Sequence, residues 1–257
     1  MNSGGTMRVL VGVLLGLTAA AANVAGGALI ARWQWSRRYL KYFIALGAGF
    51  MLATAVLEMI PESLKLPSSH SSFFFNNTDA VFVFVLAGYF IVHFFEHTAA
   101  PHFHFGEETH HAEISHAHAS YAALLGLMIH TFFDGVAIAA GFLVSAWLGA
   151  VIFLAVFLHK LPEGFTVASV VLASGQGKRR AVQAAGLLGA ATLAGVLLTS
   201  QLQGQLKYAL PLSGGVTLYV AATDLLPEVN REPNWRMALL VFIGVATLLI
   251  LKWLFHA

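Results

Sequence analysis

Hydrophobic positions gather into eight long runs, at about 9–31, 42–60, 80–98, 121–143, 147–172, 181–201, 207–226 and 236–255. Each run is close to the roughly 20 residues that a helix needs to cross a bilayer. Within the runs the apolar positions are continuous and do not alternate with period two, so the pattern predicts helices and not barrel strands. The fold class expected is all-α: a polytopic membrane protein with eight transmembrane helices in one bundle, forming a single domain over 1–257. In the first run, Thr18-Ala19-Ala20-Ala21-Ala22 imitates a signal-peptide cleavage site. Its length, and a basic start as thin as Arg8, predict a retained helix instead. Asn23, Gly26 and Gly27 would then form a close-packing face.

Composition strengthens the membrane reading. The chain is 58% hydrophobic and 10% charged, against about 25% charged residues in a soluble domain. It has no cysteine, which excludes disulfides, thiolate metal sites and cysteine nucleophiles. Net charge is +2, and no basic patch interleaved with aromatics points to nucleic acid. Lysine and arginine set the orientation. Nine of them (Arg32, Arg37, Arg38, Lys41, Lys178, Arg179, Arg180, Arg231 and Arg236) fall in loops on one side. Four (Arg8, Lys65, Lys207 and Lys252) fall on the other, and Lys160 lies within a run. The first side is expected to be cytoplasmic, with both termini outside, in a plasma (inner) membrane.

The longest loop, about 97–119, is then cytoplasmic. It holds His97, His102, His104, His110, His111, His116 and His118, seven of the chain's twelve histidines, with Glu107, Glu108 and Glu113. Such a tract makes weak, adaptable contacts to borderline divalent metals.

Ionisable groups inside a bilayer are costly and usually functional. Glu58 and Asp224 stand near run ends, where capping or snorkelling explains them as well as metal does. His93 and Glu96 are expected to be interfacial. Four other residues form matched pairs. His130 and Asp134 are four apart in the fourth run, and His159 and Glu163 four apart in the fifth. That spacing stacks each pair on one helix face. The connection between the two runs is a few residues around Val144-Ser145-Ala146, so the helices should be antiparallel neighbours. Two imidazoles and two carboxylates then converge into a shell suited to Zn²⁺ or Fe²⁺. A metal-free polar network is the plainer alternative, but two matched pairs at membrane depth are expensive for packing alone. Pro162 frees the carbonyl of Leu158 and predicts a kink beside the site. Gly135 and Gly164 follow the two carboxylates and favour close helix approach.

At these residues the chain resembles the ZIP (Zrt/Irt-like) family of divalent-metal transporters. His130, Thr131, Asp134 and Gly135 match the fourth-helix motif of that family; His159, Lys160, Pro162, Glu163 and Gly164 match the fifth. Gly49-Phe50-Met51-Leu52 followed by Ile60-Pro61-Glu62, and Leu226-Pro227-Glu228, are similar to its second- and seventh-helix patterns. The resemblance implies eight helices, a histidine-rich third loop, and import of a divalent metal. It also implies Met51 as a soft accessory ligand, although a lone methionine in an apolar helix more often packs.

Two positions depart from the family pattern: Thr131 replaces an amide and Lys160 a carboxylate. Where family members hold two metals, those positions help bind the second. An ammonium there implies a mononuclear site of His130, Asp134, His159 and Glu163, with Lys160 as charge balance in place of a second metal. Thr131, Glu62 and Glu228 would be accessory, and His102, His104, His110, His111, His116 and His118 weak loop contacts. The function expected is transport of zinc, with iron, manganese and cadmium as further candidates, toward the cytoplasm; the metal is substrate and the chain is not an enzyme. The rival from another class is a membrane-embedded zinc-dependent hydrolase, which would lack a His-Glu-x-x-His motif. Partners expected are the metal ion and the bilayer, with no nucleic acid and a homodimer left open.

Overall fold

A computed structural model describes residues 3–32, 37–66, 76–98, 117–231 and 234–256. Among them are eight helices long and apolar enough to cross a membrane: α1 (Thr6–Ala31), α2 (Lys41–Lys65), α3 (Asn77–Thr98), α4 (Leu124–Val144), α5 (Ala146–Leu172), α6 (Lys178–Gln201), α7 (Leu206–Asn230) and α8 (Trp235–Phe255). No strand occurs among the described residues. The eight runs read from the sequence map one to one onto these helices.

Two boundaries moved. The runs ending at 60 and 226 continue to Lys65 and Asn230. Each contains a proline, Pro61 or Pro227, which lacks an N–H and whose ring crowds the carbonyl four residues back. In both helices a π-turn absorbs that crowding, at Ala55–Met59 in α2 and Val220–Leu225 in α7, and the chain continues helical beyond it. In α2 the displaced carbonyl, Leu57 O, accepts a 3.1 Å hydrogen bond from Lys252 Nζ of α8. Pro162 lies inside a helix that runs without a break from Ala146 to Ala173. Leu158, whose carbonyl that proline frees, lies against Gly47 of α2.

The helices associate as two groups. α1, α4, α5 and α6 pack on one another, and α2 packs on α8 and on α7, while α3 packs on α7. The groups meet mainly where α2 crosses α5 and α4 crosses α7. Glycines explain the tight contacts inside each group. A Cβ on Gly164 would collide with Asn23 O of α1, and one on Gly135 with Thr192 O of α6. In the other group the same is true of Gly49 against Val241 O of α8 and Gly88 against Leu212 O of α7. Without a hydrophobic driving force between helices in lipid, such backbone-level approach is what holds them. At the α2–α5 boundary the contact is ordinary: a Cβ on Gly47 would sit 3.5 Å from the Leu158 side chain.

The α4–α5 connection is as short as expected. Ser145 is extended (φ −154°, ψ 154°) and its hydroxyl accepts a 3.1 Å bond from Leu148 N, capping α5. At the same end Arg8 Nη1 of α1 donates to Leu143 O at 3.1 Å, meeting a terminal carbonyl of α4. These ends fix α4 and α5 as antiparallel neighbours.

Candidate metal centre

Six polar side chains meet between α4 and α5, near the middle of each span. α4 contributes His130, Thr131 and Asp134; α5 contributes His159, Lys160 and Glu163. All are at most 1% exposed. One donor atom from each of His130, Asp134, His159 and Glu163 lies within 4.8 Å of the others. His159 Nε2 is 3.2 Å from Asp134 Oδ2. His130 Nε2 is 3.7 Å from Asp134 Oδ2 and 3.7 Å from Glu163 Oε1. Donors around a tetrahedral zinc with bonds of about 2.1 Å stand roughly 3.4 Å apart. The donors are gathered close to that spacing, at 3.2–3.7 Å for three pairs and within 4.8 Å throughout, so a small contraction would close them on one ion.

Hydrogen bonds orient the donors. His159 Nδ1 is 2.9 Å from Ala155 O, which can only accept, so that nitrogen carries the proton and Nε2 faces the cluster. A supporting contact of this kind fixes the tautomer that a metal needs. Thr131 Oγ1 donates to Glu163 Oε1 in a very short contact. Lys160 Nζ lies 2.6 Å from Asp134 Oδ2, 2.5 Å from Glu163 Oε2 and 3.3 Å from Thr131 Oγ1. It thus joins the carboxylates of both helices, sharing Asp134 Oδ2 with the two imidazoles and taking the Glu163 oxygen that His130 does not face. Asp134 Oδ1 is buried without a hydrogen-bond partner, an acceptor left over for a cation or water.

The other sequence candidates lie apart from this cluster. Met51 is fully buried within the apolar core that α2 shares with α5 and α7. Glu62, at the end of α2, pairs with Lys65 at 2.7 Å. Glu228, at the end of α7, is buried and lies 3.5 Å from Arg231 Nε. His102, His104, His110, His111 and His116 fall outside the described residues; His118 is in a described helix without a described side chain. One network was not foreseen. Glu58 of α2 is 2.8 Å from Lys252 Nζ of α8 and accepts a 3.2 Å hydrogen bond from Trp147 Nε1 of α5, so it ties the two helix groups together. Nothing in local spacing links residues 58, 147 and 252.

The family model for the ZIP zinc transporter matches this chain over residues 7–123 and 104–252. Among similar curated proteins, a zinc transporter ZIP13 homolog of Drosophila melanogaster is 31% identical over 149 residues, 54% of this chain and 42% of the relative. Zinc transporter zipt-7.1 of Caenorhabditis briggsae is 26% identical over 244 residues, 74% of this chain and 62% of the relative. The human zinc transporter SLC39A7 is 31% identical over 138 residues, 49% of this chain and 29% of the relative. The chain thus spans less than two thirds of the length of each of these relatives. With that model matched across nearly the whole length, and the paired His/carboxylate helices at its centre, the chain belongs to the ZIP zinc transporter family.

Proposed function

We propose that the protein carries a divalent transition-metal ion, zinc first, across the membrane toward the cytoplasm through one site formed by His130, Asp134, His159 and Glu163. The observation that carries this reading is a fully buried set of two imidazoles and two carboxylates in mid-span, with donor atoms all within 4.8 Å of one another. Iron, manganese and cadmium fit the same donors to different degrees. The relatives named as zinc transporters support zinc as the cargo.

One metal, not two, follows from charge. Asp134, Glu163 and an ammonium at Lys160 sum to −1, and a divalent ion brings the site to +1. A second divalent ion would bring it to +3 in a medium that screens poorly. Lys160 therefore stands in for the second cation, and Thr131 holds the Glu163 oxygen that faces His130. An arriving ion exchanges its waters for these ligands. Protons compete for the same lone pairs, so release is favoured as ligands protonate.

Alternating access uses the two helix groups. All six site residues ride on α4 and α5, which are locked to α1 and α6 by glycine contacts. Sliding of that group against α2 and α7 would expose the site to one side at a time. Glu62 and Glu228, at the ends of α2 and α7, serve as waystations, and Met51 as a soft contact from the facing helix. The lysine and arginine distribution supports an orientation with both chain termini outside and Glu228 toward the cytoplasm.

Metal uptake into proteoliposomes tests the proposal. Zn²⁺ entry should be lost in the His130→Ala, Glu163→Ala double variant; entry at the parent rate in that variant would refute the site. The hydrolase alternative gains no support from the relatives, which are named as transporters.

A further inference from the structure

Pro61 shapes a contact between the two helix groups. The carbonyl that it displaces, Leu57 O, lies in the π-turn Ala55–Met59 and accepts its 3.1 Å bond from Lys252 Nζ of α8. The same ammonium is 2.8 Å from Glu58 Oε1. One lysine of the same helix group thus fixes both the backbone and the acid of that turn. The other carboxylate oxygen, Glu58 Oε2, accepts a 3.2 Å hydrogen bond from Trp147 Nε1 of α5, in the opposite group. The Trp147 ring also lies against Phe255 of α8, with centroids 5.6 Å apart.

This contact is unlike the one that α2 and α5 make at Gly47 and Leu158, which is of ordinary van der Waals distance and tolerates sliding. An indole N–H only donates, and its bond to a carboxylate is of the stronger, charge-assisted kind. Glu58 is 7% exposed, so water is a poor substitute partner. Trp147 is also coupled stiffly to the metal centre. It stands two residues after the capping Ser145, in a helix that runs unbroken to Ala173. That helix carries His159, Lys160 and Glu163, the first about 18 Å from Trp147 at roughly 1.5 Å per residue.

We propose that Glu58, Trp147 and Lys252 form a latch between the helix groups. The Trp147–Glu58 hydrogen bond breaks each time the group bearing the centre slides, and its strength sets the balance between the two states of the protein. This action rests on the sliding of the two groups in the transport reading. Lys252 stays with Glu58 when the indole leaves, so no unpaired carboxylate is stranded in the membrane and the latch can re-form. The latch lies at the start of α5 and the end of α8; Gly177 before α6 and Trp235 at the start of α8 lie at the opposite end of the bundle.

The separation of Gly177 from Trp235 reads the balance, since one belongs to each group. The chain has no cysteine, so spin labels at Gly177→Cys and Trp235→Cys are unambiguous. Nothing lies within 4 Å of a Cβ on Gly177, and Trp235 is 71% exposed. Pulsed electron–electron distance measurement on the full chain in lipid nanodiscs, with and without Zn²⁺, gives the two populations. Trp147→Phe keeps a ring against Phe255 and removes the N–H. It should change the ratio of the populations by at least about tenfold, the scale of one hydrogen bond to a charged group. A lowered thermal midpoint with the parent's ratio would mean a role in stability alone and overturns the latch. A ratio that responds to Zn²⁺ but not to Trp147→Phe overturns the latch and leaves the sliding intact. A single distance in the parent and in every variant overturns the sliding and the latch together. Should Trp147→Phe misfold, Glu58→Gln, which keeps an acceptor oxygen without its charge, should move the ratio in the same direction by less; an equal ratio overturns the proposal.

Discussion

The α4 and α5 copies of the motif match in spacing but contribute unequally. In α4, His130 and Asp134 supply donors and Thr131 a hydroxyl. In α5, His159 has its ring set by Ala155 O, and Lys160 reaches the carboxylate of its own helix and that of the other. The neighbours differ too. Gly135 lets α4 meet α6, and Gly164 lets α5 meet α1. One helix brings an imidazole, a carboxylate and a hydroxyl; the other brings an imidazole, a carboxylate and the ammonium that lets two carboxylates share a dry site. Symmetry at the level of the motif therefore hides a division of labour.

The comparison breaks most sharply at Lys160. Removing one member of a buried ion pair typically costs about 3–5 kcal/mol, so Lys160→Ala without metal should lower the thermal midpoint markedly. Added Zn²⁺ should restore it, because one divalent ion neutralises the two carboxylates, with one ion bound per central site as in the parent. Thermal unfolding with and without Zn²⁺ reads both effects. A midpoint equal to the parent's without metal would mean that Lys160 balances nothing.

The glycines test the outer sides of the pair. Gly135→Ala and Gly164→Ala each drive a Cβ into a neighbouring carbonyl, and overpacking of this kind costs about 1–3 kcal/mol. The loss should appear in thermal stability in detergent, while Gly47→Ala, at the looser α2–α5 boundary, should cost less. Equal losses at all three would remove the distinction between the interior of a helix group and its boundary.

Acidity acts on both copies together. The metal needs neutral imidazoles and ionised carboxylates, so binding it displaces whatever protons they hold. Stability and affinity linked to metal are present at high pH and decline as pH falls, by about tenfold in affinity per pH unit for each proton displaced. Competition with a chelator across pH reads the slope; affinity that is flat with pH would mean the donors are already unprotonated throughout. The smallest effect is at Thr131. Thr131→Val removes one buried hydrogen bond to Glu163, worth about 1 kcal/mol, and should shift Zn²⁺ affinity by roughly tenfold or less with the stoichiometry unchanged.

Much of this was legible in the chain. Eight runs near 20 residues can only be spanning helices, because lipid leaves no other partner for backbone groups. Two His/carboxylate pairs at four-residue spacing, joined by a connection as short as Ser145, have to face each other. Other features were not legible. Pro61 and Pro227 read as ends of helices, yet π-turns carry α2 and α7 past them, since a proline is tolerated wherever widened geometry relieves its ring.

The sequence by itself determined the class, the span count and the six residues of the centre, because composition and helical period act locally and need no partner. Only the tertiary structure decided that Lys160 bridges Asp134 and Glu163 and that Lys252 and Trp147 converge on Glu58. Those contacts join residues far apart in the chain, and which of them form depends on helix rotation and close approach at glycines, quantities that no local pattern encodes.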